Sequence, residues 1–245
     1  MKSGTRTASA ILTRGKNMTE RFKVMLRGDA ERLSVWLAAA DLRSIITCLV
    51  IIAIGSGLYG FTIGIWRAPL QSLFTAIKFP LFIFLTCAGN AVVNGMFAQL
   101  LGSGLSFKQT TFAVLMSFAI AAMILGAFSP ITLFIWYNAP PLGSVNATAG
   151  HSVMLLTHVF VIAFAGVMAN RRLLNLLKKI SGQDRTAHAV LFSWLAGNLF
   201  LGAQLAWNLR PFIGHPSLTV QFLRDHPLQG NFYEAVWSAF RNLFL

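Results

Sequence analysis

Five apolar stretches, none containing an Asp or Glu, dominate this 245-residue chain: Ile45–Trp66, Pro80–Leu101, Thr110–Tyr137, His151–Asn170 and Ala189–Leu209. A helix needs about 20 apolar residues to cross the hydrocarbon core of a bilayer. Inside lipid every backbone N–H and C=O must be satisfied internally, so such stretches insert as helices. The expected class is therefore all-α: a polytopic helical membrane protein with five transmembrane helices plus interfacial amphipathic helices. Residues 1–43 read as a basic cytoplasmic arm with an amphipathic helix. Residues 44–209 read as a five-helix transmembrane bundle, and residues 210–245 as an extracytoplasmic C-terminal segment. Only 11% of the chain is charged, against roughly 25% in a soluble domain.

The formal net charge is +13, and its placement argues for a membrane rather than nucleic acid. Nine Lys/Arg lie in residues 1–43, one (Lys108) between the second and third stretches, and five (Arg171, Arg172, Lys178, Lys179, Arg185) after the fourth. Arg67, Lys78, Arg210, Arg224 and Arg241 lie on the opposite side. Loops that stay in the cytoplasm carry the Lys/Arg excess. Fifteen against five predicts a cytoplasmic N-terminus and an outward C-terminus. Arg171, Arg172, Lys178, Lys179 and Arg210 are the candidate contacts to anionic headgroups or to a partner. Residues 1–16 are rich in Arg, Ser and Thr and lack acids. Mitochondrial presequences share that composition, but the reading adopted is a solvated basic arm.

Several local patterns shape further expectations. Residues 19–41 mix charge with an apolar face of Phe22, Met25, Leu26, Leu33, Trp36 and Leu37. Gly55-Ser56-Gly57-Leu58-Tyr59-Gly60 matches a dinucleotide fingerprint, which requires a βαβ unit. Inside a membrane span, Gly57, Gly60 and Gly64 instead let another helix approach closely. Residues 66–79 are too short to span and are expected to lie at the interface. The third stretch is expected to stop near Ser129-Pro130, and the fourth to continue until Ser181-Gly182. Cys48 and Cys87 act as small apolar residues. His158 is a hydrogen-bonded core histidine. His215, Asp225, His226 and Glu234 lack metal-ligand spacing, and no metal or cofactor is expected.

The polar intramembrane residues are Asn90, Asn94, Asn198, Gln204 and Asn208. Asn90 and Asn94 share one helical face, as do Gln204 and Asn208. Uncompensated amides are costly in hydrocarbon, so Asn90 or Asn94 should bond Gln204, Asn208 or a backbone carbonyl. These side chains are either helix–helix glue or the lining of a polar path.

Four strings carry a family resemblance: Ala76-Ile77-Lys78-Phe79-Pro80-Leu81-Phe82-Ile83-Phe84-Leu85-Thr86, Leu105-Ser106-Phe107-Lys108-Gln109-Thr110, the stretch from Gly202 to Gly214 containing Trp207-Asn208-Leu209-Arg210-Pro211-Phe212, and Gly230-Asn231-Phe232-Tyr233-Glu234-Ala235-Val236. With them the chain from Ile45 to Leu245 resembles the Yip1-type five-span membrane proteins, in an uncharacterised bacterial branch. The resemblance implies five helices, an inward N-terminus and an outward C-terminus. Eukaryotic members bind small GTPases. Where those carry an acidic, Gly-Pro-containing motif, this chain has Lys78-Phe79-Pro80, so that role is not carried over. The expectation is a non-enzymatic integral membrane protein organising a membrane complex or its lipid surroundings. The alternative is a small channel or permease subunit. Expected partners are membrane lipids, other membrane proteins or a second copy, and not nucleic acid.

Overall fold

The computed structural model describes residues Met18–Phe244, all of whose regular elements are helices. They are α1 (Met18–Arg27), α2 (Ala30–Ala39), α3 (Leu42–Gly64), α4 (Pro69–Leu100), α5 (Phe107–Tyr137), α6 (Ala147–Ser181), α7 (Asp184–Asn208) and α8 (Phe232–Phe244). α3 to α7 are each long and apolar enough to cross a membrane. The shortest, with 23 residues, reaches about 35 Å at 1.5 Å per residue. The protein is an all-α polytopic membrane protein.

Residues 19–41 form two helices rather than one. Gly28 ends α1 at φ +66°, and its N–H bonds Val24 O at 3.0 Å. Asp29 then caps α2, its carboxylate accepting the N–H groups of Glu31 and Arg32 at 3.1 and 3.3 Å. Of the expected apolar face, Met25, Leu33, Trp36 and Leu37 are buried, but Phe22 and Leu26 are exposed. Residues 1–16, where the arm resembles a presequence, lie outside the described residues.

Two further expectations are corrected. Residues 69–79 are no separate interfacial piece but the first three turns of α4, which continues through Pro80 to Leu100. Pro69 occupies the first helical position, where a missing N–H costs nothing. The third span likewise does not stop at Pro130 but runs on to Tyr137. There the Thr132 hydroxyl lies within hydrogen-bond reach of Ser129 O at 3.0 Å and Thr62 Oγ1 at 2.8 Å. Neighbouring hydroxyls of this kind allow proline inside membrane helices. α6 does end at Ser181, with Gly182 at φ +64°.

The chain divides into two compact units. One comprises the described residues up to Ile51 with Cys87–Ala121 and Val167–Asn198. The other comprises Ile52–Thr86, Ala122–Gly166 and Leu199–Leu245. The second packs around glycines. A Cβ on Gly60 would sit 2.6 Å from Thr75 O, and one on Gly64 2.5 Å from Gln71 O. Gly55 meets Ala122 O at 2.4 Å on the same basis. The glycines of the fingerprint-like string thus serve close helix approach, as small residues do in membranes. Tyr59 Oη and His158 Nδ1, both buried, bond at 2.9 Å between α3 and α6.

Candidate functional site

The most unusual side chain of the second unit is Lys78, on α4 and 0% exposed. Its ammonium donates to the carbonyls of Leu209 at 3.2 Å, Phe222 at 2.7 Å and Pro211. The rings of Phe212 and Phe222 lie 5.2 and 5.3 Å from Nζ. A lysine has three donors, and three carbonyls take them. Gln71 and Thr75 precede it at steps of three and four residues, on the same face of α4. Gln71 Nε2 bonds Pro211 O and Phe212 O, both at 2.9 Å, and Thr75 Oγ1 bonds Phe212 O at 2.7 Å. The reason lies in the chain that follows α7. Beyond Asn208 the backbone is non-helical as far as α8, and its carbonyls have no ladder partners. At membrane depth such groups must be bonded by the protein. The polar face of α4 supplies the donors.

Two arginines extend the scheme. Arg67 donates to His215 O at 3.1 Å and Leu218 O at 2.9 Å. Arg210 donates to the carbonyls of Trp207, Pro227, His226 and Gln229 at 2.6 to 3.0 Å, and its guanidinium lies 3.9 Å from the Trp207 ring centre. Arg210 was expected to satisfy headgroups or helix-end carbonyls, or to contact a partner. Of these, the structure shows the helix-end carbonyl of Trp207, together with the carbonyls of residues 226, 227 and 229. His215 rests against His151, ring centres 5.3 Å apart. Burial, then the charges of Arg224 and Arg67, hold His215 below the ordinary imidazole range.

In the first unit, Arg172 on α6 donates to Met25 O at 2.9 Å, capping the end of α1. Lys178 pairs with Asp184 at 3.0 Å, and Lys179 approaches Glu31 at 4.0 Å. Of the four basic residues expected to meet headgroups on this loop, three thus also contact the protein, while Arg171 is exposed.

Asn90 and Asn94 are buried, 1% and 0% exposed. Both side-chain oxygens face Gly197 of α7, within 3.8 Å of where its Cβ would stand. The link between α4 and α7 is Trp194 Nε1, which donates to the main-chain oxygen of Asn94 at 3.0 Å. The Asn94 side chain has no partner on either polar atom among the described residues, and Asn198 Oδ1 has none either. Of the two residues expected to bond Gln204, Asn208 or a carbonyl, Asn94 does not do so among the described residues. Trp194 and Gly197 complete the close approach, and the amide is left over. Gln204 and Asn208 are half-buried and belong to the second unit.

Gln71 and Thr75 were missed by the sequence reading, and Arg67 and Lys78 figured there as outer charges, Lys78 also within a family string. A signal was present: polar residues at helical spacing just before an apolar stretch, opposite a proline-containing segment. No family model, no curated protein and no solved structure matches this chain.

Proposed function

We propose that this protein is a non-enzymatic, Yip1-like component of a bacterial inner membrane that organises a membrane complex or the lipid around it. Its N-terminus faces the cytoplasm and its C-terminus the other side. It needs no cofactor and does not bind nucleic acid. The observation that carries the reading is how its cations are used. Lys78, Arg67, Arg210 and Arg172 direct their donors at carbonyls of this same chain, leaving them poorly suited to hold a substrate. A cavity of the first unit, between Leu33, Ile120 and Leu176, has about 10 Å³ of space, room for about one water. The basic cytoplasmic arm and Arg171 supply the contact to anionic headgroups.

A small channel or permease subunit is the second reading. It rests on Asn94, whose buried amide has both polar atoms without a partner among the described residues. One experiment separates the two. The native protein is solubilised gently, analysed for bound proteins and oligomer size, and reconstituted into vesicles for solute flux. A co-purifying membrane protein or a stable oligomer, without flux, fits the organiser. A monomer with no companion and measurable flux overturns it.

A further inference from the structure

We propose that α8 lies in the membrane interface on the side where α7 ends, with an aromatic stripe set into the boundary between headgroups and acyl chains. Tyr233, Trp237, Phe240 and Phe244 follow one another at steps of four, three and four residues, which puts them on one face of the helix. All four are exposed, Trp237 by 61% and Phe244 by 66%. The rings of Trp237, Phe240 and Phe244 form a continuous row. Trp237 and Phe240 stack with centres 5.8 Å apart, and Phe240 and Phe244 lie 4.8 Å apart. Glu234, Ser238, Arg241 and Asn242 are exposed on the other side, and Ala239 is buried. The helix thus has one polar face, one packed face and one open aromatic face.

The position of the helix decides what covers the open face. Arg210 bonds the carbonyls of His226, Pro227 and Gln229, and Trp207 Nε1 donates to Gln229 O at 2.6 Å. Only Gly230 and Asn231 separate this tie from α8. α8 therefore starts at the level where span α7 leaves the hydrocarbon. Trp and Tyr concentrate at that depth, and amphipathic helices with an aromatic edge lie there in the plane of the bilayer. Leu199 and Phe200 on α7 are likewise exposed, the apolar surface that a helix crossing the hydrocarbon turns to lipid. This inference rests on the five spans and not on the proposed role, so the two can fail separately.

The test uses the full chain with Cys48 and Cys87 replaced by Ala, reconstituted in phosphatidylethanolamine–phosphatidylglycerol vesicles. Single cysteines replace residues 234, 237, 238, 240, 241 and 244 in turn, each carrying a nitroxide. Labels at 237, 240 and 244 should collide readily with oxygen and poorly with a water-soluble nickel chelate. Labels at 234, 238 and 241 should show the reverse. Equal exposure of all six to the chelate overturns the proposal in favour of a helix in water. Shielding of the stripe from both reagents overturns it in favour of a second copy or a partner protein. An arm without labels compares the unmodified chain with Trp237→Phe. Lipids brominated near the headgroup should quench the unmodified chain more, and equal quenching also overturns the idea.

Discussion

Lys78 is a cation whose partners are all main-chain oxygens or aromatic rings. That makes its loss more severe than that of a surface charge. A buried acceptor left without a donor costs about 1–3 kcal/mol, and Lys78→Leu strands the carbonyls of Leu209 and Phe222 together, while Pro211 O keeps Gln71 Nε2. We expect a loss of about 3 kcal/mol or more, read as a lower unfolding temperature in detergent and earlier proteolysis within residues 210–230. Lys78→Arg should not restore stability, because a planar guanidinium cannot copy three diverging donors in a fully buried site. Arg241→Ala, on an exposed side chain, should be near neutral and serves as the control. Asn94 leads to the opposite expectation. Its amide is buried and unpartnered among the described residues, a state that costs about 1–3 kcal/mol on protein scales. Asn94→Leu should therefore leave the unfolding temperature unchanged or raise it. Trp194→Phe, which removes the N–H to Asn94 O, should lower stability by about 0.6 kcal/mol. A clear drop for Asn94→Leu would show that the amide holds a partner after all, and would remove the observation on which the channel reading rests.

Among the elements, the five spans were legible because apolar length is set by the bilayer and needs no tertiary information. Their ends were less so. Pro80 and Pro130 look like stops, yet each lies inside a helix that continues past it. The distinctive strings also acquire physical accounts. Ser106 and Gln109 form a capping box at the start of α5, with Ser106 N–H to Gln109 Oε1 at 2.9 Å, as the S-x-x-Q pattern allows. Asn231 caps α8, accepting the Glu234 N–H at 3.0 Å. Lys78 and the Arg210–Phe212 run are two sides of one cage. What sequence could not reveal is the docking of α1 and α2, which depends on Arg172 meeting Met25 O and passing beside Gly28. A Cβ on Gly28 would stand 3.0 Å from Arg172 Cδ at a φ of +66°. Gly28→Ala combines that crowding with left-handed strain of about 1–2 kcal/mol. It should speed hydrogen exchange in α1 and α2 without changing exchange in α8. Arg172→Ala should do the same and Arg171→Ala should not. Equal effects of the two arginines would return both to the headgroup-contact role.

For the whole molecule, the number of spans fixes where the ends lie. Five crossings, the number of helices that meet the length and apolarity requirement, would put the described ends on opposite sides of the bilayer. The basic excess in residues 1–43 and after the fourth span predicts which side is which. Arg172, Lys178 and Lys179 have partners within the protein, yet their charge still counts during insertion, before those contacts exist. Both effects act together, so the orientation should be robust to single changes. A reporter active only in the cytoplasm, fused after Leu245, should be silent, while one that works only after export should be active there. Neutralising Arg171, Arg172, Lys178 and Lys179 together removes the second-largest inside signal while leaving the nine basic residues of the arm. We expect a minor inverted population, seen as weak cytoplasmic reporter activity on an otherwise exported background. A strong cytoplasmic signal from the unmodified chain would mean an even number of crossings, with one of α3 to α7 not spanning. α7 would then be the first to suspect, because its apolar window has the lowest buried share of the five, 17%, and its first turn carries Asp184.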